Sequence, residues 1–96
     1  MDWLGLATTY VLIRTEPGKE RKLAQELRKV KGVSELYFLY GIFDILVRVD
    51  AGSLVELKAL ITWHIRRLEQ VRSTLTLIVA DPQVPLQRLQ TAALTP

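Results

Sequence analysis

The chain has no cysteine and a single histidine. Without cysteine, neither disulfides nor thiolate metal sites can supplement the core, and the redox compartment stays open. His64 has no second soft ligand and no nucleophile partner near it in the sequence, which disfavours a zinc site or a catalytic triad. On a helix beside Trp63 and Arg66 it reads as a surface or interface residue. Long apolar runs are missing too. Tyr10 to Ile13 and Leu75 to Val79 stop far short of the roughly 20 residues that a membrane span requires. Asp2 stands where a signal peptide would be basic, and no long apolar stretch follows it. A cytoplasmic protein is the expectation.

Charge of one sign is weak. The formal net charge is +3, and the positive residues gather around Lys19, Arg21, Lys22, Arg28, Lys29 and Lys31. Glu16, Glu20 and Glu26 interrupt them, as on a solvated helix face, so specific DNA binding by this chain is not expected. The acidic residues include no pair that spacing alone would bring into a shared pocket, so acid/base hydrolysis has no visible constellation. Gly18, Gly32, Gly41 and Gly52 each stand singly at element ends and form no phosphate-binding loop. Neither an enzyme nor a bound cofactor is expected.

What the chain does have is apolar content, 49% of 96 residues, with a mean hydropathy of +0.17. A domain of this size buries only about two-thirds of the surface its unfolded chain exposes. The excess implies apolar surface left over for a partner. One domain is expected over residues 1–80. A tail is expected over 81–96, where three of the four prolines fall.

Thr8 to Thr15 is rich in β-branched and aromatic residues and reads as a strand. Thr15 or Glu16 can cap a helix that Pro17 opens, with Leu23, Leu27 and Val30 on one face. Gly32 is placed to end that helix after Lys31, and Arg28, Lys29 and Lys31 favour the negative end of its dipole. Val33 to Tyr40 and Ile42 to Asp50 read as a hairpin with a tight turn at Gly41. Neither strand alternates cleanly, which implies burial on both faces. Ser53 and Glu56 form a capping box for a second helix that runs to about Arg67, with Leu54, Leu57, Ile61, Ile65 and Leu68 at helical spacing. Ser73 to Ala80 alternates as a fourth strand.

The order βαββαβ predicts an α+β ferredoxin-like sandwich, a four-stranded antiparallel sheet with both helices on one face. The other face is then bare and apolar, and a second copy is the economical cover for it. RNA-recognition modules share this order, but Tyr40 stands where their third strand carries a basic residue, and Asp44 would repel phosphate. Asp44 opposes strand propensity in the run Tyr40-Gly41-Ile42-Phe43-Asp44-Ile45. It must find water, a backbone donor or a ligand. Two readings stay open: an aspartate bonded to its own turn, and an acceptor for a ligand's ammonium group.

Two segments carry a family resemblance. Val33-Ser34-Glu35-Leu36-Tyr37 through Tyr40-Gly41-Ile42-Phe43-Asp44 resembles a V-x-x-x-x-x-x-x-G-x-[YF]-D hairpin, and Val71-Arg72-Ser73-Thr74-Leu75-Thr76 resembles a closing strand V-x-[ST]-T-x-T. Together with Pro17-Gly18 they make Thr8 to Ala80 similar to the effector-binding (RAM) domain of the Lrp/AsnC transcription regulators. The resemblance implies dimers that share sheet faces and join into rings, commonly octameric, with amino acids or related effectors bound between dimers. It implies that Gly41, Ile42 and Phe43 offer backbone groups to a ligand carboxylate, with Asp44 beside the ligand's polar atoms. Arg72, Ser73, Thr74 and Thr76 would line the same cleft, and Tyr40 would form a wall. Family members carry a helix-turn-helix domain before this one. Met1 to Ala7 are too few for its two helices, so the resemblance is to the stand-alone form, which could modulate full-length Lrp/AsnC regulators by co-assembly. Ile42, where an acidic or polar residue is frequent, makes the pocket less polar. The alternative is an interaction module of the same fold with no metabolite ligand. An ACT-type domain shares the element order and the amino-acid role.

Overall fold

A computed structural model describes residues 7–80; the expected tail lies outside them. Four strands, β1 (Ala7–Thr15), β2 (Val33–Phe38), β3 (Ile45–Ala51) and β4 (Val71–Ile78), form one antiparallel sheet in the order β2-β3-β1-β4. Helices α1 (Glu20–Arg28) and α2 (Leu54–Leu60) bridge the strands, and α2 continues into a π-helical stretch, Ile61–Ile65. This is the ferredoxin-like α+β arrangement expected from the element order.

The strand register sorts the side chains into two faces. On the helix side Ile45 pairs with Ile13, Val47 with Val11 and Val49 with Thr9, all fully buried. Leu23 and Leu27 of α1, Leu57 of α2, and Ile61 and Ile65 beyond it close the core over them. β3 therefore alternates cleanly, contrary to expectation. β2 does pack inward through Val33 and Leu36, but Tyr37 and Phe38 are about half exposed, so one chain buries only part of that strand.

Helix α1 is shorter than its sequence suggests at both ends. Pro17 and Gly18 form a turn closed by the Lys19 N–H to the Glu16 carbonyl at 3.0 Å, with Gly18 at φ +85°. Proline followed by a residue of positive φ is the requirement of a type II turn, so Pro17 precedes the helix rather than opening it. Lys19 is the N-cap, and its side chain makes no capping bond. At the other end Lys29 and Val30 donate to carbonyls three residues back, which tightens the last turn before Gly32 is reached. Gly32 serves a different purpose from a helix stop. At φ +104° its carbonyl accepts from the Asp50 N–H, and a Cβ there would lie 2.7 Å from Leu60 Cδ1.

The second helix starts as its capping box predicts. Ser53 Oγ accepts from the Glu56 N–H at 3.1 Å, while Glu56 Oε2 accepts from the Gly52 N–H, one residue before the usual target. Leu57, Ile61 and Ile65 recur every four residues, a spacing that drifts around an α-helix. The wider turn marked by the Arg66 N–H to Ile61 carbonyl bond keeps all three buried.

Candidate functional site

The hairpin turn expected at Gly41 is a longer loop. β2 ends at Phe38 and β3 begins at Ile45, and the loop between them is closed by the Leu39 N–H to the Asp44 carbonyl at 2.8 Å. A two-residue turn would need the strand pairing to run up to Gly41. Instead Tyr40, Gly41 and Ile42 stand out in solvent, with Ile42 at 76% exposure. Phe43 and Asp44 lie closer to the sheet and are half-buried.

Asp44 ties the loop to β1. Its N–H donates to the Ile13 carbonyl at 2.8 Å, and its carboxylate Oδ2 accepts from the Thr15 N–H at 2.7 Å. The carboxylate thus supplies an acceptor beside the start of β3, where β1 runs on past it. This is the backbone-bonding half of the two readings of Asp44, although the donor belongs to β1 rather than to its own turn. Oδ1 makes no hydrogen bond among the described residues, so one oxygen stays available.

Across β1 from this loop lies the start of β4. Thr74 pairs with Ile13, Ser73 with Arg14 and Val71 with Thr15, across a bulge. Strands are spaced about 4.8 Å apart, so Asp44 and Arg72 to Thr74 share one end of the sheet with β1 between them. Arg66, Val71, Arg72, Ser73 and Thr74 line a depression of about 310 Å³ there. Thr76 sits further in, paired with Val11 on the helix face. The structure therefore gathers Asp44, Arg72, Ser73 and Thr74, leaves Thr76 one step removed, and projects Tyr40 and Ile42 away from their own chain. Two residues that the sequence reading did not assign to the site belong to this end. Thr15 holds Asp44, and Gln70 donates through Nε2 to Glu26 Oε2 at 2.7 Å while its carbonyl accepts from the Glu16 N–H. Thr15 Oγ1 and Gln70 Oε1 are buried and make no hydrogen bond among the described residues.

The helix-free face carries two ordered rows. Tyr37, Leu46, Leu12 and Leu75 lie side by side across all four strands, and Glu35, Arg48, Tyr10 and Leu77 form the next row. Tyr37, Leu75 and Leu77 are 45–49% exposed. Arg48 bonds Glu35 and Asp50, each at 3.3 Å. Burial works to raise the Asp50 pKa, but the hydrogen bond from the Thr8 hydroxyl, the nearby Ser34 hydroxyl and the Arg48 charge outweigh it. The carboxyl sits below its ordinary value of 3.8. Asp50 in turn raises the Arg48 pKa. Among the described residues no group of three or more His, Asp or Glu could hold a metal ion, and no helix is long and apolar enough to cross a membrane.

Comparison with known proteins agrees with this architecture. Residues 8–87 match the family model described as the Lrp/AsnC ligand binding domain. The chain belongs to that family. An uncharacterised HTH-type transcriptional regulator of Pyrococcus abyssi is 30% identical over 82 residues, which cover 81% of this chain and 55% of the regulator. The chain thus spans about half the length of the curated relatives it matches. A hypothetical protein of Pyrococcus horikoshii, solved by crystallography, superposes with a TM-score of 0.74 at 32% identity, covering 80% of this chain and 93% of that one. A transcriptional regulator of Neisseria meningitidis, solved as its L-methionine complex, has a TM-score of 0.72 at 17% identity over 90% of this chain and 60% of its own. That likeness is one of fold. The Lrp/AsnC family is one of transcriptional regulators rather than enzymes.

Proposed function

We propose that this domain binds an amino acid or a related small effector, assembles with copies of itself, and modulates transcription regulation of amino-acid metabolism. The observation that carries the reading is an unfinished site. Asp44 shares one end of the sheet with Arg72, Ser73 and Thr74, and beside it Tyr40 and Ile42 find no cover among the described residues. A neighbouring copy that packs against this end would enclose a ligand between the two. The pairing of copies through the rows headed by Tyr37 and Glu35 supplies the dimer from which such a ring is built. The methionine complex of the Neisseria regulator, a protein of the same fold, supports the choice of amino acids as ligands.

In this arrangement the backbone N–H groups of Gly41 to Phe43 and the Arg72 guanidinium face the ligand carboxylate, and Asp44 Oδ1 accepts from its ammonium group. Full-length regulators of the family are the natural partners for co-assembly. A thermal-shift screen across the amino acids tests the reading, since a ligand at about 100 times its Kd stabilises the folded form by roughly 2.7 kcal/mol. A melting point raised by one or a few amino acids is expected. A flat panel, with the protein assembled, would favour an interaction module that needs no metabolite.

A further inference from the structure

The depression at the start of β4 is charged with one sign. Its lining is Arg66, Val71, Arg72, Ser73 and Thr74, around a volume of about 310 Å³. Two arginines and two hydroxyl residues share it, and no carboxylate residue does. We propose that Arg66 is a specificity-determining residue of this site and that the effector carries a second anionic group, so that an acidic amino acid, aspartate-like or glutamate-like, is the class that fits. The inference rests on the amino-acid reading of the same site and adds to it the charge of the ligand's side chain.

Arg66 comes to β4 through the backbone. It caps the π-helical stretch, and the connection after it folds back through two tight turns, with the Leu68 N–H on the Ile65 carbonyl at 3.2 Å and the Val71 N–H on the Leu68 carbonyl at 3.1 Å. Both ends of this connection are anchored. Ile65 is fully buried in the core, and the buried Gln70 reaches α1 through Glu26 and the end of β1 through the Glu16 N–H. The Cα positions from which Arg66 and Arg72 extend are therefore set by packing, while both side chains are exposed to solvent and open to a ligand.

Charge then decides the ligand class. Like charges beside one depression repel, and an anion between them relieves that repulsion. The carboxylates to set against the two arginines are Glu69, in the connection, and Asp44, across β1. Neither lines the depression, and both ion pairs among the described residues belong to Arg48. Arg14, paired with Ser73 in the register, adds a further positive charge at this end. A neutral amino acid brings one carboxylate, which Arg72 and the loop N–H groups answer, and leaves Arg66 facing nothing. A side-chain carboxylate completes the set, since a guanidinium matches it with two parallel donors. Asp44 and β4 stand two strand spacings apart, roughly 10 Å, so a ligand with charged groups at both ends suits the span better than a compact one.

The test is calorimetric titration of the full 96-residue chain with L-glutamate and L-aspartate, against L-glutamine and L-asparagine, which match them in size and lack the side-chain charge. One of the acids should bind about tenfold more tightly than its amide. Arg66→Gln, at an exposed position, should bring that acid down to the affinity of its amide, leave the amide unchanged and keep the melting curve, whereas Arg66→Lys should retain part of the preference. A neutral amino acid bound as tightly as the acids, or a preference that Arg66→Gln leaves intact, would overturn the inference and leave the amino-acid reading standing. Binding of no amino acid at all would overturn both.

Discussion

The two faces of one sheet differ by a single residue of register, yet they meet opposite fates. Ile13 faces the helices and is fully buried, whereas its neighbour Leu12 faces away and shares a row with Tyr37 and Leu75, both nearly half exposed. The Leu12 row is Tyr37, Leu46, Leu12 and Leu75 and the Ile13 row is Phe38, Ile45, Ile13 and Thr74, so the exposed row is no more polar than the buried one. Coverage distinguishes them. Two short helices cover one face, and in the proposed assembly the second face takes its cover from another copy. A protein that needed only to be a stable monomer would carry polar residues where Leu12, Leu46, Leu75 and Leu77 stand.

Truncations on either side sharpen the contrast. Ile13→Ala should cost about 3 kcal/mol in a urea melt at any protein concentration, because the cavity lies inside one chain. Leu75→Ala should cost well under half of that in dilute solution and more as concentration rises, because in the proposed assembly its contacts come from the second copy. Equal losses at all concentrations would mean that the two faces are not different in kind.

A smaller effect probes the sheet end where one residue has two duties. Asp44→Asn keeps an oxygen for the Thr15 N–H but removes the charge. The fold should survive, while affinity for whichever amino acid the screen returns should fall about tenfold, as expected for a lost charge-assisted bond. Calorimetric titration and a melting curve on the same variant read both quantities. If melting drops while affinity holds, Asp44 serves β1 alone.

The smallest effect lies in the polar corner of the helix-free face. The Asp50 carboxyl is held below 3.8 in the folded chain. The unfolded chain therefore takes up its proton first as pH falls. Asp50 contributes stability above pH 3.8 that is lost progressively through the folded value. Asp50→Asn should flatten that part of an acid-stability curve by a fraction of a kcal/mol, because the side chain is one-third exposed and solvent screens its pair. An unchanged curve would show that the Arg48 cluster does not couple to folding.

Much of this was legible in the residues. β-branched runs, the Ser53 and Glu56 capping box and the apolar spacing of Leu57, Ile61 and Ile65 fixed the elements and their order, because each depends on local chemistry. Where the reading slipped, the deciding partner was remote in sequence. Pro17-Gly18 can open a helix or make a type II turn, and the bond from the Glu16 N–H to Gln70, more than fifty residues away, belongs to the turn. Gly32 looks like a helix stop, but what excludes any other residue is the approach of Asp50 and Leu60, which leaves no room for a Cβ. The Leu39–Asp44 loop looks like a tight hairpin until the Asp44 carboxylate is seen bonding Thr15. Candidate site residues could be read as two motifs. That the loop and the start of β4 meet at one sheet end follows only from the strand order, which places β1 between them.

The central claim is that the helix-free face is an interface between copies, and light scattering at micromolar concentration tests it most directly. The account predicts a mass of at least twice 10.9 kDa, with an even number of copies, and a shift to the single-chain mass on Leu75→Asp with the far-UV spectrum retained. A stable, soluble 10.9 kDa species from the unmodified chain, or an assembly that Leu75→Asp leaves intact, would contradict it.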